Sequence, residues 1–193
     1  LPPNKGRKIS VRQISREDPV ISVFPRPNSV IKNRFDSGAV CLVAFKDNTF
    51  VGYIWFMFEG YQEDEVRAKY TPLPSSHTTW DFDVYVHPDY RLGHAFLRLW
   101  DEANHFLLDR KVGWSCSRIS AFNGPSINVH SKLGALNLGQ AIFFCIGSWQ
   151  LTFATLFPYI HFSTHLNSCP QFYLNTQKIN TNFPMRRKES TTE

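Results

Sequence analysis

Two carboxylates, an arginine–glycine turn and a histidine-bearing helix carry the chemistry open to this chain. Asp81 and Asp83 lie in Trp80-Asp-Phe-Asp-Val-Tyr-Val86, an alternating run that reads as a strand. Period two predicts Asp81, Asp83 and Tyr85 on one face. Two acids on one strand face are unusual for a core strand. They suit a proton acceptor or an anchor for a substrate ammonium, with Asp83 the first choice and Asp81 the second. The purely structural alternative pairs them with Arg98, Lys111 or Arg118. The strand runs into Pro88-Asp-Tyr-Arg91-Leu-Gly93-His-Ala95-Phe96, a glycine-bearing turn that opens a helix. Free backbone N–H groups and the positive end of a helix dipole there form a seat for a phosphate group.

About thirty residues on stands Asn123-x-x-Ser126-x-x-x-His130-x-Lys132-Leu133-Gly134. Asn123 caps a helix, Gly134 stops it, and Ser126 and His130, four apart, share one face. An imidazolium at His130 donates a proton near neutral pH. The acidic loop holding Glu59, Glu63, Asp64 and Glu65 precedes the Asp81 strand. It either attracts a cationic amine or is a solvated loop.

These segments must be held by a folded domain, and the composition supplies one. The chain has 193 residues, 42% hydrophobic and 15% aromatic with 17 Phe, ample for a core and against global disorder. The charge of +5 sits largely in residues 4–12 and 185–188, which disfavours nucleic-acid binding as the main role. Cys41, Cys116, Cys145 and Cys169 show no metal spacing. The first three, in apolar runs, read as buried free thiols. With no visible signal peptide, the expected location is cytoplasmic. Residues 141–160 carry no charge, but the interruption at Gly147-Ser148 predicts a hairpin rather than a membrane span.

Strands are expected over 9–14, 39–45, 49–58, 80–86, 114–120, 138–146 and 149–154. Shorter strand pieces are expected around 66–70, 159–163 and 172–174. Helices are expected after Asp18, over 30–35 with Asn28 or Ser29 as cap, over 96–108 and over 126–133. This order indicates an α/β (α+β) fold with a mixed central sheet and helices on both faces. Residues 1–8 and 184–193 read as flexible ends, 9–155 as the domain, and 156–183 as an extension packing on the domain or on a partner. The aromatic residues of that extension offer a homodimer or partner surface.

The strand order and the two motifs resemble the GNAT superfamily of acyl-coenzyme A dependent N-acyltransferases over residues 39–155. The resemblance implies an acetyl-coenzyme A donor, no metal, and a small-molecule or peptide amine acceptor that attacks the thioester directly. It implies that backbone amides of Arg91, Leu92, Gly93, His94, Ala95 and Phe96 hold the pyrophosphate. Val84, Tyr85 and Val86 would pair with the pantetheine arm, and an amide of Tyr85 or Val86 would polarise the thioester carbonyl. Asn123 and Ser126 would line the same arm, and Asp81 and Glu59 would face the acceptor. The chain departs from the family at two points. The turn is one residue shorter than the usual Arg-x-x-Gly-x-Gly/Ala, and His130 stands where a tyrosine usually protonates the thiolate. The rival reading is a non-catalytic module that keeps the fold and binds acyl-coenzyme A or a protein.

Overall fold

Asp47 and Asn48 both have positive φ, 49° and 65°, the backbone of a two-residue hairpin turn. In the computed structural model, which describes residues 8–179, this turn joins β2 (Val40–Lys46) to β3 (Thr49–Met57). Before them come β1 (Ile9–Ile14), a 3₁₀ turn (Pro19–Val23) capped by the Asp18 side chain, and α1 (Asn28–Asp36). After them come β4 (Tyr61–Gln62), β5 (Lys69–Leu73), β6 (Thr78–Val86), α2 (Ala95–Asp109), β7 (Trp114–Cys116) and α3 (Gly124–Lys132). The chain continues through β8 (Ala141–Ile146), β9 (Trp149–Ala154), β10 (Ile160–Ser163) and β11 (Gln171–Asn175).

The central sheet has the order β1-β2-β3-β6-β7, antiparallel except for the parallel β6–β7 pair. One face packs a core of Ile31, Cys41, Val43, Tyr53, Trp55, Trp80 and Phe82 against the α1 side. The other buries Leu42, Val51, Ile54 and Phe56 under Ala95, Leu99, Ala103 and Leu107 of α2. These four α2 positions recur every four residues and explain why this stretch forms an amphipathic helix. The mixed sheet with helices on both faces is the expected architecture. No helix in the described residues is long and apolar enough to cross a membrane.

A bulge in β6 sets the geometry of the site. Tyr53 pairs with Tyr85 and Trp55 with Phe82, so Ile54 alone faces both Asp83 and Val84. Asp83 takes up the extra residue with φ 45°. Beside it, Gly52 is obligatory: a Cβ there would lie 2.3 Å from the Tyr85 carbonyl oxygen. The bulge overturns the expected strand face. Phe82 and Asp83 both point to the α1 side, whereas Asp81, Val84 and Val86 lie on the α2 side. Asp81 and Asp83 therefore sit on opposite faces.

Other corrections are local. The strand expected over 114–120 ends at Cys116, because Ser115 and Arg118 turn to side-chain partners on β6 and on the β4–β5 loop. Helix α1 is capped by Pro27, whose carbonyl accepts from Val30 and Ile31 N–H, rather than by the Asn28 or Ser29 side chain. Cys145 is exposed, not buried. Residues 1–7 and 184–193, the expected flexible ends, lie outside the described residues apart from Lys8.

Two further three-stranded sheets flank the central one, β11-β5-β4 and β10-β9-β8. In the first, β11 pairs parallel with β5 and buries Phe172 and Leu174 in the α1-side core. In the second, the 141–160 stretch forms the expected hairpin turning at Gly147 (φ 57°). Its inner face is mixed: Ala141, Phe143 and Ala154 pack on the α1-side core, Gln150, Thr152 and Ser163 are buried, and Gln150 donates to the Arg67 carbonyl at 2.7 Å and accepts from the Arg67 N–H at 2.9 Å. Its outer face is apolar. Ile142, Phe153 and Ile160 pair into one row, and Phe144, Leu151 and Phe162 into the next. Ile146 and Trp149 complete it at the turn.

Candidate active site

The site begins where β6 and β7 part. Thr78, Thr79 and Trp80 pair with Trp114, Ser115 and Cys116; beyond them the two chains separate. From Asp81 to Val86 the edge of β6 has no strand partner on that side among the described residues. Five residues of strand span about 16 Å. Such an unpaired edge inside a sheet offers a row of backbone donors and acceptors to an extended ligand. Val84, Tyr85 and Val86 are half-buried there, as an opened cleft requires.

At the far end of this edge, Pro88–Tyr90 form a 3₁₀ turn and α2 starts at Ala95. The Arg91 and Gly93 N–H groups are taken by the Pro88 and Tyr90 carbonyls at 3.2 and 3.1 Å. The N–H groups of Leu92, His94, Ala95 and Phe96 make no hydrogen bond among the described residues. These are the orphan donors of a helix start, and they carry its positive dipole end. The Arg91 guanidinium folds back and donates from Nε to the Val86 carbonyl at 3.0 Å, tying the turn to the strand. A Cβ added at Gly93 would meet only the Tyr90 carbonyl oxygen, at 3.4 Å, so the space above the turn is open. The shortened turn thus still presents a set of free amides.

At the near end, where the strands part, lies Asp81. It is 4% exposed and accepts from the Ser115 hydroxyl at 2.5 Å. Burial pushes its pKa up to about 6, although the Ser115 hydrogen bond, the charge of His130 and Ser117 all work to lower it. His130 reaches toward the same region from α3. Its ring stands edge-on to Trp100 and Phe96 of α2, with centroids 6.2 and 6.3 Å away. Nδ1 lies 2.8 Å from the Ser126 carbonyl; as the donor there, it leaves Nε2 free for the cleft. Asn123 caps α3 as expected, its Oδ1 accepting from Ser126 N–H at 3.2 Å.

Asp83 is occupied differently. Arg26 grips it with two donors, Nε at 3.0 Å and Nη2 at 2.6 Å; Arg34 donates at 2.5 Å and the Tyr53 hydroxyl at 3.1 Å. Burial works to raise its pKa, but the hydrogen bonds and charges of the two arginines outweigh it and hold the carboxyl below its ordinary range. A carboxylate so stabilised is a weak proton acceptor. Its partners are therefore Arg26 and Arg34, not the expected Arg98, Lys111 or Arg118. Neither could be read from spacing, since they lie 57 and 49 residues away. Tyr85 stacks on Phe50 and Tyr53 on this same side.

The acidic loop is largely neutralised: Glu63 and Glu65 pair with Arg118, and Asp64 lies 3.7 Å from Arg34. Glu59 is exposed just beyond β3, past the Met57–Trp80 pair. Ser115, Trp100 and the ring of Phe96 are site features that sequence reasoning did not assign; for Phe96 only the backbone amide was expected there. Ser115 showed no nucleophile motif, and Phe96 and Trp100 fell into the general helical apolar pattern.

Comparison with known proteins agrees with this architecture. An aminoglycoside acetyltransferase from an uncultured soil metagenomic sample superposes with a TM-score of 0.51 at 10% identity, covering 73% of this chain and 97% of that one. A ribosomal-protein-alanine N-acetyltransferase from Brucella melitensis biovar Abortus 2308 gives 0.51 at 15% identity, covering 72% and 99%. At these identities the likeness is one of fold. No curated protein matches the chain significantly. Residues 9–135, which span the central sheet, the turn and α3, match the model of the acetyltransferase (GNAT) family, and the chain belongs to that family.

Proposed function

We propose that the chain transfers an acetyl, or another short acyl, group from coenzyme A to an amine by direct attack in a ternary complex. The observation that carries this reading is the open β6 edge running from a set of unbonded amides to a buried carboxylate. The amides of Leu92, His94, Ala95 and Phe96 suit the pyrophosphate, with Arg91 and Gly93 shaping the turn. Val84, Tyr85 and Val86 suit strand-like pairing with the pantetheine arm, and an amide of Tyr85 or Val86 then polarises the thioester carbonyl. Asn123 and Ser126 hold α3 and set His130 beside the cleft.

In the transfer, the amine nitrogen attacks the thioester carbon and the C–S bond breaks. Asp81, whose pKa of about 6 leaves it ionised at neutral pH yet basic enough to accept a proton, takes the proton from the amine. His130 gives a proton to the departing thiolate. Asp83, fixed by Arg26 and Arg34, positions the bulge and the acceptor side of β6. Glu59 is the exposed acid that remains to meet a cationic acceptor.

The test is calorimetric titration with acetyl-coenzyme A, followed by thiol release with a panel of amines. Aminoglycosides and alanine-bearing peptides belong in the panel, since the two structural neighbours are named as an aminoglycoside acetyltransferase and a ribosomal-protein-alanine N-acetyltransferase. Micromolar binding and amine-dependent release of coenzyme A are expected. No binding up to millimolar donor overturns the assignment of the cleft; binding without release on any amine favours a non-catalytic acyl-coenzyme A module.

A further inference from the structure

The β8–β9–β10 sheet is turned against the ordinary rule of burial. Along β9 and β10 the polar side chains Gln150, Thr152 and Ser163 are buried while large apolar ones point out, and β8 turns Ala141 and Phe143 inward but Ile142, Phe144 and Ile146 outward. This orientation is fixed from within. Gln150 holds both backbone groups of Arg67 and also donates to Thr152 at 3.2 Å, so the sheet cannot flip without orphaning buried polar groups. The result is two full rows, Ile142–Phe153–Ile160 and Phe144–Leu151–Phe162, ended by the Ile146–Trp149 pair. Apart from half-buried Leu151, each of these side chains leaves between 42% and 77% of its surface exposed.

We infer that this face is the contact surface of a two-fold homodimer, sheet against sheet. At roughly 200 Å² for a fully exposed side chain of this size, the seven exposed residues present about 800 Å² of apolar surface. That equals the contribution of one partner to an interface of standard size, and it exceeds the ~300–600 Å² patch found on a typical monomer. The chemistry selects the occupant. Residues 141–163 contain no Asp, Glu, Lys or Arg, so the face offers nothing to a nucleic acid or a charged peptide. Its three strands also supply none of the lysines or arginines with which a protein surface settles on anionic membrane. A flat uncharged sheet face is complementary to itself, and a two-fold axis brings like rows together without apposing like charges. The face is exposed with residues 8–179 in place. The sheet also lies outside the residues shared with the acetyltransferase family, 9–135. The face contains none of the residues given a catalytic or donor-binding role.

Sedimentation velocity between about 1 and 200 μM, with Trp149 fluorescence quenching by acrylamide on the same samples, tests the inference. The expected result is a species of twice the 22.3 kDa chain mass, with Trp149 shielded as the dimer forms. The double variant F144K/F162K alters only outward side chains. It should be monomeric at 200 μM while retaining the wild-type circular dichroism, cooperative melting and acetyl-coenzyme A titration. A wild-type monomer throughout, a dimer that survives F144K/F162K, or a monomer that floats with phosphatidylcholine vesicles each overturns the inference. The wild-type quenching measurement stands even if the variant fails to fold.

Discussion

Replacing Asp81 by Asn should stabilise the protein at neutral pH while removing its turnover. The carboxyl is 4% exposed, and burial raises its pKa from an ordinary value near 3.8 to about 6. The native state therefore binds this proton more tightly than the unfolded chain does. Well below pH 3.8 the group is protonated in both states and contributes no penalty. As pH rises through 6 the native state must ionise a buried acid, and stability is lost. Each pH unit of displacement is worth about 1.4 kcal/mol, so the penalty at pH 7.5 is about 3 kcal/mol. Asn lacks the charge but keeps an oxygen to accept from the Ser115 hydroxyl. Urea unfolding of both proteins at pH 4 and 7.5 is the assay. With a urea slope of roughly 2 kcal/mol per M, the Asp81→Asn midpoint should exceed the wild-type midpoint by about 1.5 M at pH 7.5 and by only about 0.3 M at pH 4. A difference that does not depend on pH, or a variant less stable at pH 7.5, would refute the reasoning. The same ionisation predicts that kcat/KM of the wild type rises with pH around a midpoint near 6. A stability penalty of this size at a cleft is what a functional carboxylate shows.

Other predictions address separate parts of the site. Gly93→Trp should leave the melting temperature unchanged, because the space above the turn is open, and weaken acetyl-coenzyme A binding at least tenfold by calorimetry; unchanged affinity would move the phosphate seat elsewhere. Asp83→Ala strands Arg34, whose side chain is 11% exposed, and should reduce stability by about 3 kcal/mol. The double variant with Arg34→Ala should lose little more than either alone, and additive losses in urea unfolding would show that the clamp is not coupled. His130→Phe should lower kcat about a hundredfold with donor affinity within twofold, read by stopped-flow thiol release.

The strands and helices were legible because their periodicities are local. Alternation marked β6, the helical spacing of Phe96, Leu97, Trp100, Ala103, Leu107 and Leu108 marked α2, and Asn123 with Gly134 bracketed α3. The turn and α3 motifs also pointed to the right family. What was not legible depends on tertiary contact. The bulge at Asp83 leaves no trace in the alternation, yet it reverses the face of every later residue in β6, so the two aspartates could not be sorted from sequence. The early end of β7 is set by Ser115 and Arg118 finding distant carboxylates, and the clamp on Asp83 joins residues some fifty positions apart. The outward apolar sheet was hidden for a related reason. Its hairpin was visible at Gly147-Ser148, but only tertiary contacts such as those of Gln150 with Arg67 decide which side faces in.

The parallel pairing of β11 with β5 has a consequence for how the chain is made. Gln171 lies opposite Lys69 and Phe172 opposite Tyr70, partners about a hundred residues apart. At synthesis rates of roughly 5–20 residues per second, β5 leaves the ribosome some 5–20 s before its neighbour exists. During that interval the slot later filled by Phe172 and Leu174 stands open beside Tyr70 and Trp80. The nascent central sheet must therefore wait with an apolar gap in its flank. Arrested or truncated chains ending before Gln171 should be the ones that cells hand to chaperones.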